Sequence, residues 1–185
     1  QSGSSRPLYR TNQINGLPAV QFDGNDDYYD TIFTLDSNKM TIFTVFAHDH
    51  DGNSRPRGPL WMCDPDAGQS GFFPLFSNGK HYLWYGSDWL TEASEFSVRN
   101  KWYLSMVERG SVTNLWRNNT NVQHASFNTI DVTRFAIGRR TSYDDYYGGK
   151  ISEMIFYNYD LNRTQEIIVY NYLSAKYDKS INENK

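Results

Sequence analysis

Short apolar runs separated by turn-forming residues recur along most of this chain of 185 residues. The strongest run covers residues 41–47, where Thr, Ile, Phe and Val favour a pleated strand. Similar runs cover residues 19–22, 81–85, 102–107, 112–116, 135–138 and 151–157. Many short strands with turn signals between them are typical of an antiparallel β-sandwich. Residues 108–111 lie between two of these runs and predict a hairpin turn.

The last apolar segment has the period of a helix instead. Asn162 is suited to the N-cap position, and Gln165, three residues later, completes a capping box. An apolar stripe follows at helical spacings, formed by Ile168, Tyr172 and Ala175 and flanked by Val169 and Leu173. We expect this stripe to pack on the sandwich.

The composition supports one all-β domain. Aromatic residues make up 16% of the chain and charged residues 21%, a balance that suits half-buried sheets. The length fits a single core. We expect an extended lead-in over residues 1–15, a sandwich over 16–178 and a polar tail over 179–185. The predicted fold class is therefore a sandwich of two antiparallel sheets with one short C-terminal helix.

Charge and hydropathy argue against two classes of partner. The net charge is −3, and no basic stripe of the kind that nucleic-acid binding requires is visible. No apolar run approaches the roughly 20 residues that span a bilayer, so membrane insertion is not expected. Cys63 is the only cysteine, which precludes an intrachain disulfide. An extracellular location stays compatible with this, because a sandwich of this size needs no disulfide.

An acidic turn follows the apolar run at residues 19–22. Asp23, Asn25, Asp26 and Asp27 offer several oxygen ligands within five residues, and calcium prefers oxygen ligands. The alternative is a turn in which these side chains accept hydrogen bonds from nearby backbone N–H groups. Both interpretations remain open at this point.

The aromatic segment around residues 82–89 is a candidate sugar-binding region. Sugar rings stack on aromatic rings, and their hydroxyls need polar partners. Asp88 and Trp89 stand in an expected turn after Gly86 and Ser87, with Tyr85 before it, so Trp89 is the ring that we expect to be exposed. In the alternative interpretation the aromatic residues of this strand mainly fill the core.

A second candidate lies in the segment of residues 139–149. Arg140, Tyr143, Asp144 and Tyr146 combine stacking and hydrogen-bonding groups in one loop, and loops carry function more often than strands do. Tyrosines also anchor protein interfaces, so the loop does not distinguish a sugar from a protein. The alternative is a tyrosine-rich turn that packs on the rim of the sheet.

Two segments carry a resemblance to a known family. Residues 15–28 read Asn-Gly-Leu-Pro-Ala-Val-Gln-Phe-Asp-Gly-Asn-Asp-Asp-Tyr, and the ending combines residues 149–153 and 155–158 with Leu161, Tyr172-Leu173 and Lys176-Tyr177. The chain thereby resembles the laminin-G-like branch of the concanavalin A-like lectin/glucanase superfamily. The resemblance implies a jelly-roll sandwich, and it favours calcium near the binding loops.

One difference from that family concerns the start of the chain. Its members usually carry a further strand before the Arg-Pro-x-Tyr stretch, which corresponds here to residues 6–9. An antiparallel sheet that lacks an edge strand exposes unpaired backbone groups. We therefore expect this strand to be donated by a preceding polypeptide or by a neighbouring chain.

Catalysis is not expected. Related glucanases place their carboxylates on one strand as Glu-x-Asp-x-Glu, and this chain has no such string. It also lacks a nucleophile elbow. The sequence thus favours a non-catalytic carbohydrate-binding or adhesion module of a secreted or cell-surface protein, with a glycan or a surface protein as partner and calcium as a candidate cofactor. The alternative is a structural or receptor-facing protein of a phage virion or another surface assembly.

Overall fold

A computed structural model describes residues 3–31, 39–49, 58–63, 72–77, 80–85, 88–91, 99–110, 113–118, 120–125, 134–140 and 144–179. For residues 72–77, 80–85, 88–91, 117 and 120–125 the description covers the backbone and the side chain of Leu83. Antiparallel sheets packed face to face with one C-terminal helix confirm the predicted fold class.

The elements form two layers, and the chain crosses between these layers several times. The strands are β1 (Leu8–Ile14), β2 (Leu17–Asp23), β3 (Tyr29–Thr31), β4 (Met40–His48), β5 (Trp61–Cys63), β6 (Phe72–Ser77), β7 (Lys80–Tyr85), β8 (Asp88–Thr91), β9 (Tyr103–Arg109), β10 (Thr113–Arg117), β11 (Thr120–Ala125), β12 (Phe135–Ile137), β13 (Arg139–Arg140), β14 (Asp145–Tyr146) and β15 (Gly148–Tyr157). A short 3-10 helix (Gly3–Ser5) precedes them, and helix α1 (Arg163–Tyr177) follows them.

All strand pairs in the described ranges are antiparallel. One sheet has seven strands in the order β1-β2-β15-β4-β9-β10-β11, and the other has six in the order β3-β12-β5-β6-β7-β8. Strands β13 and β14 form a separate two-stranded hairpin. Strands β9 and β10 pair with Arg109 opposite Thr113, which confirms the hairpin predicted at this point.

Strand β4 is buried along its whole length because both of its faces are covered. Ile42 and Phe46 belong to the apolar cluster between the two sheets. Phe43 and Val45 belong to a second cluster, which lies between the seven-stranded sheet and helix α1. This explains why residues 41–47 lack the alternation that a half-exposed strand would show.

A β-bulge in β15 shifts the alternation of its side chains. The pairing of β15 with β4 changes register between Ile151 and Glu153, so Ser152 is an extra residue, and its hydroxyl donates to the Pro18 carbonyl at 2.7 Å. Ile151 and Met154 therefore both face the six-stranded sheet although they are three residues apart. Glu153 turns to the opposite face, where Lys176 of α1 lies 3.1 Å from its carboxylate.

The capping box predicted for the helix is present. The backbone N–H of Gln165 donates to Asn162 Oδ1 at 3.1 Å, and the backbone N–H of Asn162 donates to Gln165 Oε1 at 3.0 Å. The helix ends at Tyr177, and Asp178 after it adopts the left-handed conformation with φ 49°. These contacts satisfy backbone groups that a helix end leaves unpaired.

The prediction of the packed face of this helix was wrong. Ile168 is 63% exposed and Tyr172 49% exposed, and Ala175 also faces solvent. The buried face is formed by Glu166, Tyr170 and Tyr177 together with Val169 and Leu173, the two residues predicted only to flank it. The two stripes overlap in sequence, and the one that contains two tyrosines buries more apolar area. Tyr170 packs edge-to-face on Phe43, with ring centroids 5.3 Å apart.

Residues 1–15 are more than a lead-in. They contain β1, which pairs with β2 as the outer strand of the seven-stranded sheet. The sandwich therefore begins before residue 16, where we had placed its boundary. The boundary at residue 178 stays a prediction.

Candidate functional site

Two of the predicted site segments come together at one end of the sandwich. They are the acidic turn between β2 and β3 and the hairpin β13–β14. The rings of Tyr28 and Tyr146 lie 6.3 Å apart between their centroids. We call this region the rim site, and it comprises Asp23, Asp26, Asp27, Tyr28, Asp30, Arg139 and Tyr146.

Hydrogen bonds from its own backbone hold the acidic turn. Asp23 Oδ1 accepts the N–H groups of Asn25 at 2.8 Å, Asp26 at 3.2 Å and Asp27 at 3.4 Å. Asp27 Oδ2 accepts the N–H of Asp23 at 2.8 Å. The amide of Asn25 donates to Asp23 Oδ2 at 3.2 Å. These contacts thus form a turn held by its own side chains, the alternative to calcium in the sequence analysis.

Asp26 faces the start of the chain. The hydroxyls of Ser4 and Ser5 donate to its Oδ2 at 2.7 and 3.2 Å. This contact brings the short 3-10 helix against the acidic turn. Within the described ranges, no ion pair joins Asp23, Asp26 or Asp27 to a cationic side chain.

Two carboxyls of the turn have opposite pKa shifts. Burial raises the pKa of Asp27, and the charges of Asp23 and Asp26 add to the shift, although the N–H of Asp23 opposes it. Burial also acts to raise the pKa of Asp23, but the hydrogen bonds from residues 25–27 outweigh it and leave that pKa lowered. Asp27 therefore favours its protonated form more than Asp23 does.

The turn has the donor set of a hard-cation site. One carboxylate oxygen from each of Asp23, Asp26 and Asp27 lies within 4.8 Å of the others. Oxygens bound to one calcium ion at about 2.3–2.6 Å lie no farther apart than about 5 Å. The three residues thus fit calcium by ligand type and spacing, while several of their oxygens also hold the turn.

Arg139 links the hairpin to β3. Its Nε and Nη2 atoms donate to the two carboxylate oxygens of Asp30 at 3.2 and 2.7 Å. The guanidinium lies 3.9 Å from the centroid of the Tyr28 ring, a cation–π contact. The bidentate pair and the stacked ring fix the arginine from two sides.

Gly138 makes this position of Arg139 possible. It follows β12 with φ 84°, a left-handed conformation that glycine tolerates best. A Cβ at this position would lie 2.6 Å from the Phe22 ring. The chain can therefore turn from β12 to β13 close to the core, which directs Arg139 over β3.

The rest of the hairpin has a mixed role. Arg140 is opposite Asp145 in the pairing, and their charged groups are 3.9 Å apart. Tyr146 is half-buried, and burial together with the charge of Asp144 raises its pKa. Asp144 is exposed with φ 49°. Tyr147 is buried and its hydroxyl donates to the Ala47 carbonyl at 3.1 Å, so it belongs to the core.

The other predicted ligand-binding residues are elsewhere. Tyr85 is paired with Asp88, and Trp84 with Trp89, so Trp89 lies in a strand and not in the turn that we expected. Strand β8 is the outer strand at the far side of the six-stranded sheet from β3. The side chains of Tyr85, Asp88 and Trp89 lie outside the described part of the structure, as does all of Tyr143.

Sequence reasoning missed Tyr28 and Asp30. Both contact Arg139, so they lie on one face of the chain as it enters β3. Their spacing of two residues after the turn was the available signal, because alternate strand residues share a face. Strand β3 has three residues, which was too short to be recognised as a strand.

The fold is similar to that of several solved structures. No protein-family model and no curated protein matches the sequence. Domain 4 of AbnA, an extracellular arabinanase from Geobacillus stearothermophilus solved with arabinotriose, is 16% identical with a TM-score of 0.67. The match covers 89% of this chain and 80% of that domain.

Two further structures extend this comparison. The binding domain of botulinum neurotoxin serotype D is 13% identical with a TM-score of 0.67, and the match covers 90% of this chain and 45% of that one. The heptameric SAP-like pentraxin of Limulus polyphemus is 13% identical with a TM-score of 0.62, and the match covers 90% of this chain and 89% of that one.

At these identities the comparisons establish the fold. The neighbours are jelly-roll sandwiches, among them the arabinanase domain solved with arabinotriose, the receptor binding domain of botulinum neurotoxin D and a sialidase solved with sialic acid. Within the described ranges, no helix has the length and hydropathy needed to cross a bilayer. The chain is therefore an all-β jelly-roll sandwich with a rim site built from two distant segments.

Proposed function

We propose that this chain is a non-catalytic carbohydrate-binding or adhesion module of a secreted or cell-surface protein, and that its ligand binds at the rim site. The observation that carries the proposal is the placement of Tyr28, Tyr146 and Arg139 beside a turn of three carboxylates. Aromatic rings offer a surface for the apolar face of a sugar, and carboxylates and guanidinium groups bind its hydroxyls. The similarity to a domain solved with arabinotriose supports this class by analogy of fold.

Calcium is part of the proposal. Asp23, Asp26 and Asp27 would hold the ion, and Asn25 stands within the same turn. Bound calcium would neutralise carboxylates that have no cationic partner in the described ranges. Calcium takes about 6–8 oxygen ligands, so three carboxylates leave positions for water or for ligand hydroxyls.

Hydrolysis fits the rim site poorly. A glycosidase needs a protonated and an ionised carboxyl that both face the substrate. The pKa of Asp27 is raised, the direction that suits a general acid, but its side chain is buried and accepts a hydrogen bond from the N–H of Asp23 within the turn. A carboxyl that holds its own turn from a buried position does not reach a glycosidic oxygen.

A glycan array tests this function. The purified chain is screened in calcium and again in a chelator, next to the variants Tyr146→Ala and Arg139→Ala. We expect glycan binding in calcium, and a loss of about tenfold or more in each variant, which corresponds to about 1.4 kcal/mol. Tyr159→Ala is the matched control, because Tyr159 is an exposed tyrosine next to Tyr157 rather than at the rim site.

The array also distinguishes a ligand site at the rim from one at β8. Binding that survives both rim variants and disappears in Trp89→Ala would move the site to β8. Binding that is equal in calcium and in chelator would reject the cofactor while leaving the rim site in place. No binding to any glycan in either condition would count against the carbohydrate proposal as a whole.

We propose assembly as the second candidate function, in which the sandwich is a structural or receptor-facing part of a virion or another surface assembly. The observation that favours it is the outer position of β3 in the six-stranded sheet, next to an apolar groove. An unpaired strand edge is a template for pairing with another chain. Sedimentation over a range of protein concentrations tests it. We expect the chain to form larger species as the concentration rises. A chain that stays monomeric at every concentration would count against assembly from copies of this chain.

A further inference from the structure

Among the described strands, the two layers of the sandwich close on one side and not on the other. At the far side, β8 and β11 lie against each other across the layers. At the near side the outer strands are β1 and β3. These two strands differ in their capacity to pair with a further strand.

Strand β1 is poorly suited to further pairing. Its ladder with β2 changes register between Arg10 and Ile14, and Asn12 in this interval has φ 53°. Such an irregularity bends an edge and interrupts its row of backbone groups, which discourages pairing with another chain. Strand β3 has a regular three-residue pairing with β12 on one side, and no strand of the described ranges pairs with its other side.

The six-stranded sheet ends one strand short of the seven-stranded sheet. Phe22 of β2 contacts Tyr29 of β3 at 6.0 Å between ring centroids, so β3 lies opposite β2. Phe135 of β12 contacts Phe156 of β15 at 4.9 Å, so β12 lies opposite β15. By the same order, no described strand lies opposite β1.

This offset leaves an aromatic side chain uncovered. Tyr9 of β1 is paired with Val20 of β2, and Val20 with Ile151 of β15. Cross-strand partners share a face, and Val20 and Ile151 face the six-stranded sheet. Tyr9 therefore faces the same way, but it is 68% exposed because nothing among the described strands covers it.

An apolar groove lies between the two layers beneath β3 and β12. Its volume is about 290 Å³. The side chains that line it from both layers include Val20, Phe22, Tyr29, Ile137, Met154 and Phe156. The groove is thus a gap in the interlayer core that Tyr29 of β3 borders, on the side of the six-stranded sheet where β3 is the outer strand.

The charges at one end of the groove indicate the occupant. The acidic turn precedes β3, and its three carboxylates have no ion pair with a described cationic side chain. A strand antiparallel to β3, like all the strand pairs that the structure describes, would bring its C-terminal end to this turn. Lysine or arginine at that end would be attracted to the carboxylates.

We propose that the outer edge of β3 accepts an extended segment of another polypeptide, apolar at alternate positions and basic at its C-terminal end. The segment pairs antiparallel to β3, places its alternate apolar side chains in the groove and covers Tyr9. This mode is strand addition, in which the backbone ladder supplies affinity and the groove supplies specificity. The inference rests on the proposed assembly function and names its acceptor strand and the pattern of its donor.

A synthetic peptide tests this inference on the full chain. The probe is fluorescein-labelled Thr-Val-Thr-Ile-Thr-Lys-Lys amide, followed by fluorescence anisotropy. We expect binding that weakens about tenfold in Val20→Phe, which fills the groove, and about threefold or more in Tyr9→Ala. Tyr159→Ala is again the matched control and binds as the parent chain does. Near-ultraviolet circular dichroism of each variant confirms that it is folded.

Peptide controls separate pairing from charge alone. A peptide in which both apolar residues are replaced by Thr keeps the two lysines, and we expect it not to bind. A third peptide that ends in Glu-Glu should bind about tenfold more weakly than the probe at low salt. Equal binding of the all-Thr peptide and the probe would overturn the inference, because attraction to the acidic turn would then suffice.

Hydrogen exchange locates the contact. We expect the probe to slow amide exchange in residues 29–31. Protection in β1 without protection in β3 would overturn the inference. The two tests can fail separately. If the chain assembles in sedimentation and the probe does not bind β3, the assembly function stands and the acceptor strand is wrong. If the chain stays monomeric and the probe protects β3, the acceptor strand stands and self-assembly is rejected.

Discussion

A single carboxylate, that of Asp23, organises the acidic turn by accepting three backbone N–H groups. Asp23→Ala leaves these donors without their acceptor, and we expect it to lower the free energy of unfolding by about 1–3 kcal/mol. Urea unfolding without calcium measures the change. Asp23→Asn keeps an acceptor oxygen and serves as the matched control, so an equal loss in both variants would show that charge, and not hydrogen bonding, holds the turn.

Glu108 links the stability of the fold to pH through a raised pKa. Burial raises its pKa, the amide of Asn114 at 2.9 Å partly offsets this, and the negative charges of Glu166 and Asp160 raise it further. Because the folded state holds the proton more tightly, stability falls as the pH rises from the unfolded pKa of about 4.3 through the folded pKa.

We therefore expect Glu108→Gln to raise the free energy of unfolding at pH 7. The gain should vanish as the pH falls below about 4.3, where Glu108 is protonated and therefore neutral in both the folded and the unfolded state. Urea unfolding at the two pH values measures it. Glu153→Gln is the control with the opposite sign, since Glu153 is paired with Lys176 at 3.1 Å. A gain for Glu108→Gln that persists at low pH would contradict the electrostatic cause.

At the scale of elements, α1 separates what sequence predicts well from what it does not. Its start was predictable because Asn162 and Gln165 form the cap within one turn of chain. Its packed face was not, because Ile168 and Tyr172 also have helical spacing. Which stripe meets the sheet depends on contacts with residues such as Phe43, far away in the sequence.

A pair of alanine variants checks the packed face. Leu173→Ala should lower the free energy of unfolding by about 2–5 kcal/mol because it opens a cavity in the cluster below the helix. Ile168→Ala removes an exposed side chain of the same size and should change it by no more than about 0.5 kcal/mol. Thermal unfolding of both variants measures the difference. A larger loss of stability in Ile168→Ala would show that the stripe of Ile168 and Tyr172 packs against another part of the protein.

Strand prediction followed the same rule. Strands with long apolar runs, such as β4 and β9, were predicted, whereas β3 and β5, with three residues each, were not. The bulge at Ser152 was also beyond prediction, because an extra residue is defined only against a partner strand. Local pattern therefore identified the five inner strands of the seven-stranded sheet, but only β7 and β12 of the six-stranded sheet, where the inner strand β6 was missed as well.

For the whole molecule, the sequence predicted the class of fold but not the assembly of the site. Asp30 and Arg139 are 109 residues apart in the sequence and meet only because β12 pairs with β3. The turn and the loop were each singled out as candidates, but nothing local to either indicates that they are neighbours. Long-range strand pairing is a property of the complete sandwich.

The apolar cluster between the two layers predicts how the molecule unfolds. One interlayer cluster joins residues from β2 to β15, so we expect a single cooperative transition for the domain. Tryptophan fluorescence and far-ultraviolet circular dichroism in urea should give coincident curves. Two separate midpoints would divide the chain into two independently folding units.

The position of β15 also has a consequence for biosynthesis. This strand lies between β2 and β4 in the seven-stranded sheet, although it follows both of them late in the sequence. On the ribosome, β2 and β4 therefore emerge with an empty place between them and cannot complete their ladders until residues 148–157 have left the exit tunnel. Pairings of such large sequence separation form slowly and leave strand edges open in the meantime. Strands β2 and β4 can pair earlier with β1 and β9, but each keeps its other edge open until β15 emerges, and a chaperone that covers these two edges should raise the yield.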